Sequence, residues 1–279
     1  MPEIVTANSV TRLDGRHRGA VLLGGSHGGV YAGYLAAKAG ARAVVLNDAG
    51  VGKDKAGIGS LDYLDRLGMA AATVSHMSAR IGDGDDFLAR GVISHVNRTA
   101  AALGCAAGQS CRDCAETMRA APDWQGAPPP YAEARFRLRG EPGEPEVWGL
   151  DSASLIEPGD DRRIIVAASH GALLGGKPDN AIKVRPKAAV FNDAGVGIEA
   201  IGITRLPALA DMGVAAATVA ADSARIGDAR SAWETGRLSH VNRVAGFLGA
   251  EPGITTQAFV DLVLTHYRDT VDHPGTLHS

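Results

Sequence analysis

The apolar residues of this chain fall in short continuous runs, with no polar alternation inside them. Ala20–Leu23, Val44–Leu46 and Ala70–Val74 are such runs in the first half, and Ile164–Val166, Ala189–Phe191 and Ala215–Val219 in the second. Short unbroken runs predict strands buried on both faces. Between them the pattern turns helical. Val30–Ala39 is Ala-rich and closes at Gly40, and Ile58, Leu61, Leu64 and Leu67 recur at every third position before Gly68, a C′ glycine. Leu206–Met212 closes in the same way at Gly213, with Pro207 tolerable in a first turn. Ile93, Val96, Ala100 and Leu103 predict a third helix, closing at Gly104 and carrying His95 near its start. Strands alternating with helices predict parallel sheets with right-handed crossovers.

The pattern repeats. NDAGVG occurs at Asn47–Gly52 and again at Asn192–Gly197; SARIGD at Ser78–Asp83 and Ser223–Asp228; SHVNR at Ser94–Arg98 and Ser239–Arg243. GMAAATV at Gly68–Val74 returns as GVAAATV at Gly213–Val219, and SHGG at Ser26–Gly29 as SHGA at Ser169–Ala172. The offset is 143 residues for the SHG block and 145 for the rest, so one two-residue insertion aligns them all. The expected fold is therefore a tandem duplication of a βαβαβα unit with parallel sheets, Rossmann-like and three-layered, related by a pseudo-twofold. Residues 1–120 form the first repeat, 121–146 a Pro/Gly-rich connector and 147–279 the second repeat. Within the connector, Ala134–Arg139 alternates apolar and basic residues, which predicts an edge strand or hairpin arm. An arm of that kind can grip a second copy, so a homo-oligomer is expected. In the second repeat the counterpart of Val30–Ala39 holds Gly175, Gly176 and Pro178, which should delay or replace that helix.

Composition narrows the class. With 28 basic and 31 acidic residues among 279, the net charge is −3, and no basic field points to nucleic acid or a membrane surface. No apolar run approaches the roughly 20 residues of a membrane span. The opening MPEIVTANSVTRLD has neither the charged start nor the apolar stretch of a signal peptide, so a cytoplasmic location is expected. Cys111, Cys114, Ala115 and Met118 share one helical face, which predicts buried thiols and not a C-x-x-C redox or zinc motif.

Candidate chemistry gathers where the strands end. SHGG follows the first strand, NDAG the second and SHMSARIGD the third, so all three lie at carboxyl ends of parallel strands, where open α/β sheets bind ligands. Gly24–Gly28 matches the G-x-S-x-G elbow of α/β-hydrolases, but only about 25 residues precede Ser26, too few for the strands that fold places before its elbow. Ser26 is thus a nucleophile, an anion ligand or a helix cap, and the amides of Gly28 and Gly29 can face an oxyanion. Asp48 and Asp193 either orient a histidine or cap their own loops. Arg80 and Arg225 either clamp a substrate carboxylate or pair with Asp83 and Asp228. His27, His76 and His95 are candidate bases, and Lys53 and His76 exist only in the first copy, where the second has Ile198 and Ala221.

These residues point to a small-molecule enzyme without cofactor. The expected activity is hydrolysis of an amide, lactam or ester, with Ser26 as nucleophile or oxyanion ligand, His27 or His95 as base, Asp48 as orienting group and Arg80 on a substrate carboxylate. The alternatives are a lyase or isomerase of a small carboxylate, with His76 or Lys53 as base, and a non-catalytic receptor for an anionic metabolite. Ser169, His170, Asp193 and Arg225 are expected as a partner wall or a degenerate site beside a principal site in the first copy. Two histidines and an aspartate per copy could hold Zn²⁺, but none has an H-x-x-x-H spacing, and no metal is expected. No G-x-G-x-x-G follows a strand and no Walker motif is present, so a nucleotide cofactor is not expected either.

Overall fold

The computed structural model describes residues 1–272. Strands β1 (Ile4–Ala7), β2 (Val21–His27), β3 (Ala43–Asn47), β4 (Ala70–Val74) and β5 (Ile93–Val96) form a sheet in that spatial order. The first four are parallel and β5 is antiparallel to β4. Helices α1 (Val30–Lys38) and α2 (Gly59–Arg66) cover one face, and α3 (Gly84–Arg90) and α5 (Cys111–Met118) the other, with the short α4 (Arg98–Ala102) beside β4. The second sheet contains β6 (Arg135–Arg139), β7 (Val147–Leu150), β8 (Ile164–His170), β9 (Ala188–Asn192), β10 (Ala215–Val219) and β11 (Leu238–Val241), in the order β11-β10-β9-β8-β7-β6. Its helices are α6 (Arg205–Asp211), α7 (Ala229–Glu234), α8 (Arg243–Phe247) and α9 (Thr256–Asp272). Both halves are three-layer α/β, and two such similar sheets are compatible with a duplicated unit. Among the described residues no helix is long and apolar enough to cross a membrane.

The unbroken apolar runs are explained by the layers. In β2, Val21 and Leu23 face α3 and α5 while Leu22 faces α1 and α2; in β3, Ala43 and Val45 are split from Val44 and Leu46 in the same way. Each strand therefore has two buried faces, and a fully buried Val or Leu contributes about 1.5–3 kcal/mol. Cys111, Cys114, Ala115 and Met118 are all fully buried in the layer beneath β2 and β3.

Three elements differ from the sequence pattern. Ile93–Leu103 is not one helix: Ile93–Val96 pairs with β4, and α4 begins after Asn97. Asn97 makes the break, because its Oδ1 accepts the Ala100 N–H as a helix cap and also the Ala71 N–H of the neighbouring segment. Apolar positions three and four apart are thus satisfied by a strand and a helix joined at a corner. β1 and β7 add to each sheet a strand that the apolar runs do not announce; IVTA at Ile4–Ala7 is a half-buried edge. β6, within the predicted connector, is the edge strand of the second sheet, antiparallel to β7. Where the second half lacks its first helix, the chain makes two tight 3-10 turns, Leu174–Gly176 and Pro178–Asn180.

The halves meet through their carboxyl-end loops, and the contact is reciprocal. The Lys53 N–H donates to the Ala221 carbonyl at 2.8 Å, and the equivalent Ile198 N–H to the His76 carbonyl at 2.9 Å. On the axis between them Gly50 and Gly195 touch: a Cβ on Gly50 would stand 2.8 Å from the Cα of Gly195, and a Cβ on Gly195 2.8 Å from that of Gly50. Ala49, Ile81, Ala172, Ala194 and Ile226 form a small apolar core around this point. Across its rim Arg90 pairs with Glu199 at 2.8 Å, and Lys53 Nζ donates to Thr235 Oγ1 at 2.8 Å.

Two outcomes follow for stability. Gly50 and Gly68 both have positive φ, +73° and +69°, but a Cβ at Gly68 meets nothing within 4 Å. Gly68→Ala should cost about 1–2 kcal/mol for the left-handed backbone alone. Gly50→Ala should cost clearly more in urea unfolding, because the methyl also strikes the other half's backbone; equal costs would show that the loops part freely. Replacing Cys111 and Cys114 together by Ala should lower stability by about 1–3 kcal/mol for lost core volume, without changing metal content by elemental analysis.

Candidate active site between the two halves

A cavity of about 180 Å³ lies between the halves. For scale, an engineered cavity of about 150 Å³ in another protein takes up benzene. Ser26 and His27 at the end of β2 and Ser169 and His170 at the end of β8 line it together. Both strands are irregular just there: pairing between β2 and β3 shifts between Leu23 and His27, and between β8 and β9 from Val166 to His170. Such a bulge frees a strand end from the ladder and re-aims its side chains. Ser9 and Thr11, with Ser152 and Ser154 opposite, add hydroxyls to the wall.

The serines and histidines are held alike on both sides. The Val10 N–H donates to Ser26 Oγ at 3.1 Å, and the Ala153 N–H to Ser169 Oγ at 2.8 Å. Each hydroxyl proton is left to donate elsewhere. The Gly29 N–H donates to His27 Nδ1 at 3.1 Å, and the Ala172 N–H to His170 Nδ1 at 3.3 Å. With Nδ1 accepting, this hydrogen-bond pattern assigns the neutral ring its proton on Nε2. Burial pulls His27 down to about 4; burial, then the nearby Arg205 and His27 charges, pulls His170 down to about 3. At neutral pH both rings are therefore uncharged donors through Nε2–H, and poor bases.

Two further groups complete the site. Arg205, in the first turn of α6, lines the cavity and is 4% exposed. Its Nη1 donates to the Ala181 carbonyl at 2.7 Å and its Nη2 to the Ala172 carbonyl at 3.1 Å, and its guanidinium lies 4.5 Å from the Phe191 ring centre. Burial lowers it to about 10. Glu133, from the segment preceding β6, lines the cavity and also an adjoining hollow that shares His27 and Tyr31 with it. Burial, reinforced by the Asp151 charge, pushes the Glu133 carboxyl up to about 7. Its protonation therefore changes near neutrality.

The other sequence candidates lie apart from the cavity or on its margin. Asp48 Oδ1 accepts from the Gly50 N–H at 3.1 Å, closing its own loop, and from both the His76 N–H at 2.9 Å and His76 Nδ1 at 2.8 Å. Burial acts to raise the Asp48 carboxyl, but the His76 hydrogen bonds outweigh it and the net shift is downward. The dyad packs against Gly195 at the contact between the halves, not on the cavity wall. Asp193 closes the matching loop and accepts from the Ala221 N–H at 2.9 Å. Lys53 is used in the same contact. Arg80 is paired with Asp86 at 2.9 Å, while Arg225 is paired with Asp228 and lines the adjoining hollow. Gly28 packs its amide against the Asn47 carbonyl at 2.6 Å, so only the Gly29 side of that turn serves the histidine. His95 lies on β5, in a surface hollow with Asp65 and Arg98. Among the described residues no three His, Cys, Asp or Glu side chains converge as metal ligands.

Sequence reasoning missed Arg205 and Glu133. Arg205 had a signal: at the 145 offset it falls on Ser60, a change from Ser to Arg on an otherwise apolar helix face. Glu133 had none, since the connector has no counterpart to compare.

The arrangement can bind an anion, offer neutral N–H and O–H donors to a developing oxyanion, and move one proton near pH 7. It also predicts opposite linkages. For His27, folded about 4 against an ordinary 6.5, stability should fall as pH drops from 6.5 through 4. For Glu133, folded about 7 against 4.5, the contribution is present below 4.5 and lost as pH rises through 7. His27→Gln should flatten the acid-side loss and Glu133→Gln the loss toward neutrality in urea unfolding from pH 4 to 8; the same sign for both variants would refute the assignment. Compared with protein-family models, curated proteins and solved structures, the chain matches none.

Proposed function

We propose that this protein is an enzyme acting on a carbonyl group of a small molecule held between its halves, and that the reaction is hydrolysis of an amide, lactam or ester. The observation that carries this reading is that Glu133 and the Nε2–H donors of His27 and His170 line one cavity. In the reaction, the Glu133 carboxylate takes a proton from water as the water oxygen bonds to the carbonyl carbon. The carbonyl oxygen gains negative charge, which the histidine N–H and serine O–H groups stabilise. The bond from carbon to nitrogen or oxygen then breaks, and Glu133 returns its proton to the leaving group. Ser26 is an oxyanion ligand in this scheme and not a nucleophile, because no histidine or carboxylate among the described residues is hydrogen-bonded to its Oγ.

The same groups favour a second reading, proton transfer next to a carbonyl. A neutral histidine donor with one glutamate base suffices to form an enolate. Solvent tests separate the two. Hydrolysis places ¹⁸O from labelled water in the acid product, whereas isomerisation exchanges a C–H for deuterium.

With a substrate identified from a panel of small amides, lactams and esters, Glu133→Gln should lower kcat about 10²–10⁴-fold with the fold intact. His170→Ala or His27→Ala should each cost about 10²–10³-fold. Since the base must be ionised, kcat/KM of the free enzyme should rise with pH through about 7. Full activity in Glu133→Gln would end the proposal.

A further inference from the structure

Among the described residues Arg205 is a buried cation without an acidic partner. Two of its five N–H donors reach main-chain carbonyls, and its Nε is buried with no partner among the described residues. The contrast with another inward-facing pair is plain: Arg135 and Arg163 converge on the fully buried carboxylate of Asp160, at 2.7 and 3.0 Å. An isolated buried charge is costly unless something compensates it. The fold itself does not require this one. Ser60 occupies the equivalent position at the start of α2, in the same layer and against the equivalent strands. The arginine is an addition to one half, and it stands where that half has exchanged a helix for the turns that carry Ala181.

We infer that Arg205 is the counter-charge for the carboxylate of a small organic acid bound in the cavity. This rests on reading the cavity as the ligand site, not on the reaction being hydrolysis. The charge count selects a monoanionic head. Arg12, Lys183 and Asp179 at the cavity are all exposed, so among the described residues Arg205 is the buried cation there. A carboxylate neutralises it, whereas a phosphate dianion brings a second charge with no buried partner. A planar guanidinium also suits a planar carboxylate. The neutral His170, next to it, can donate Nε2–H to the same ligand without adding charge. Glu133 lies where the cavity meets the adjoining hollow, and Arg205 does not border that hollow. The acid group is therefore held in the second half's end of the cavity, and the rest of the molecule runs toward Glu133.

The full chain should be titrated calorimetrically at pH 7 with butyrate, with its uncharged analogue butyramide and with inorganic phosphate. Saturable binding of butyrate, with neither of the others competing at equal concentration, is expected. Absence of butyrate binding, or equal binding of butyramide, overturns the inference; tighter phosphate binding overturns the carboxylate assignment. Arg205→Ser, which installs the side chain of the first half, should weaken butyrate at least tenfold while leaving the circular dichroism spectrum unchanged, and unchanged affinity overturns the role of Arg205. If that variant does not fold, Arg205→Lys decides: it keeps the charge but not the fork, so about a tenfold loss supports the inference and wild-type affinity overturns it. A chain that binds butyrate through Arg205 but turns nothing over keeps this inference and loses the hydrolase.

Discussion

The contact of Gly50 with Gly195 is the constraint on which the rest of the molecule depends. Each glycine has a left-handed backbone, +73° and +74°, and each leaves room only for the other's Cα. Around them the two NDAGVG loops hold Ala49, Val51, Ala194 and Val196 at positive φ as well, from 47° to 64°. A β-branched residue in that region is strained, at an order of 1–3 kcal/mol each. The loops tolerate the strain because they are over-determined. Asn47 donates to the Ala79 carbonyl and accepts from the Ala49 N–H, Asp48 accepts from Gly50, and the second copy repeats all three bonds. The loops thereby lock the halves edge to edge and set the two strand-end Ser-His pairs across one cavity.

This accounts for the strict identity of the two loops in steric terms. Their polar residues look like a catalytic motif, yet Asn47 and Asp48 spend their hydrogen bonds on backbone amides and carbonyls of their own neighbourhood. Only in the first half does Asp48 also hold a histidine side chain, because Ala221 replaces His76 in the second.

The proposed site draws on the places where the two halves differ. A symmetric pair of halves would present a cavity with two equal ends and no net direction. Arg205 in place of Ser60, and turns in place of a helix, make one end cationic. Glu133 belongs to the segment between the halves and has no symmetric mate. The shared Ser-His pairs then supply uncharged donors from both sides, kept neutral because burial disfavours the imidazolium.

Much of the architecture was legible from the chain alone. Continuous apolar runs identify strands with two buried faces, because only a sheet covered on both sides removes every residue of such a run from water. Gly40, Gly68 and Gly213 end helices because each supplies the left-handed residue that closes one. Order along the chain placed SHG, NDAG and SARIGD at one sheet edge. Three things were decided only by tertiary structure. β1 is too short and too half-buried to leave a periodic trace. Ile93–Leu103 carries a helical spacing that Asn97 divides into strand and helix through bonds to a neighbouring strand. The composition of the site depends on how one half turns toward the other, and local pattern carries no information about that. The sequence determined which residues stand at the strand ends; the Gly50–Gly195 contact decided that Ser26 and His27 face Ser169, His170, Arg205 and Glu133, while Asp48, His76 and Lys53 were drawn into the joint between the halves.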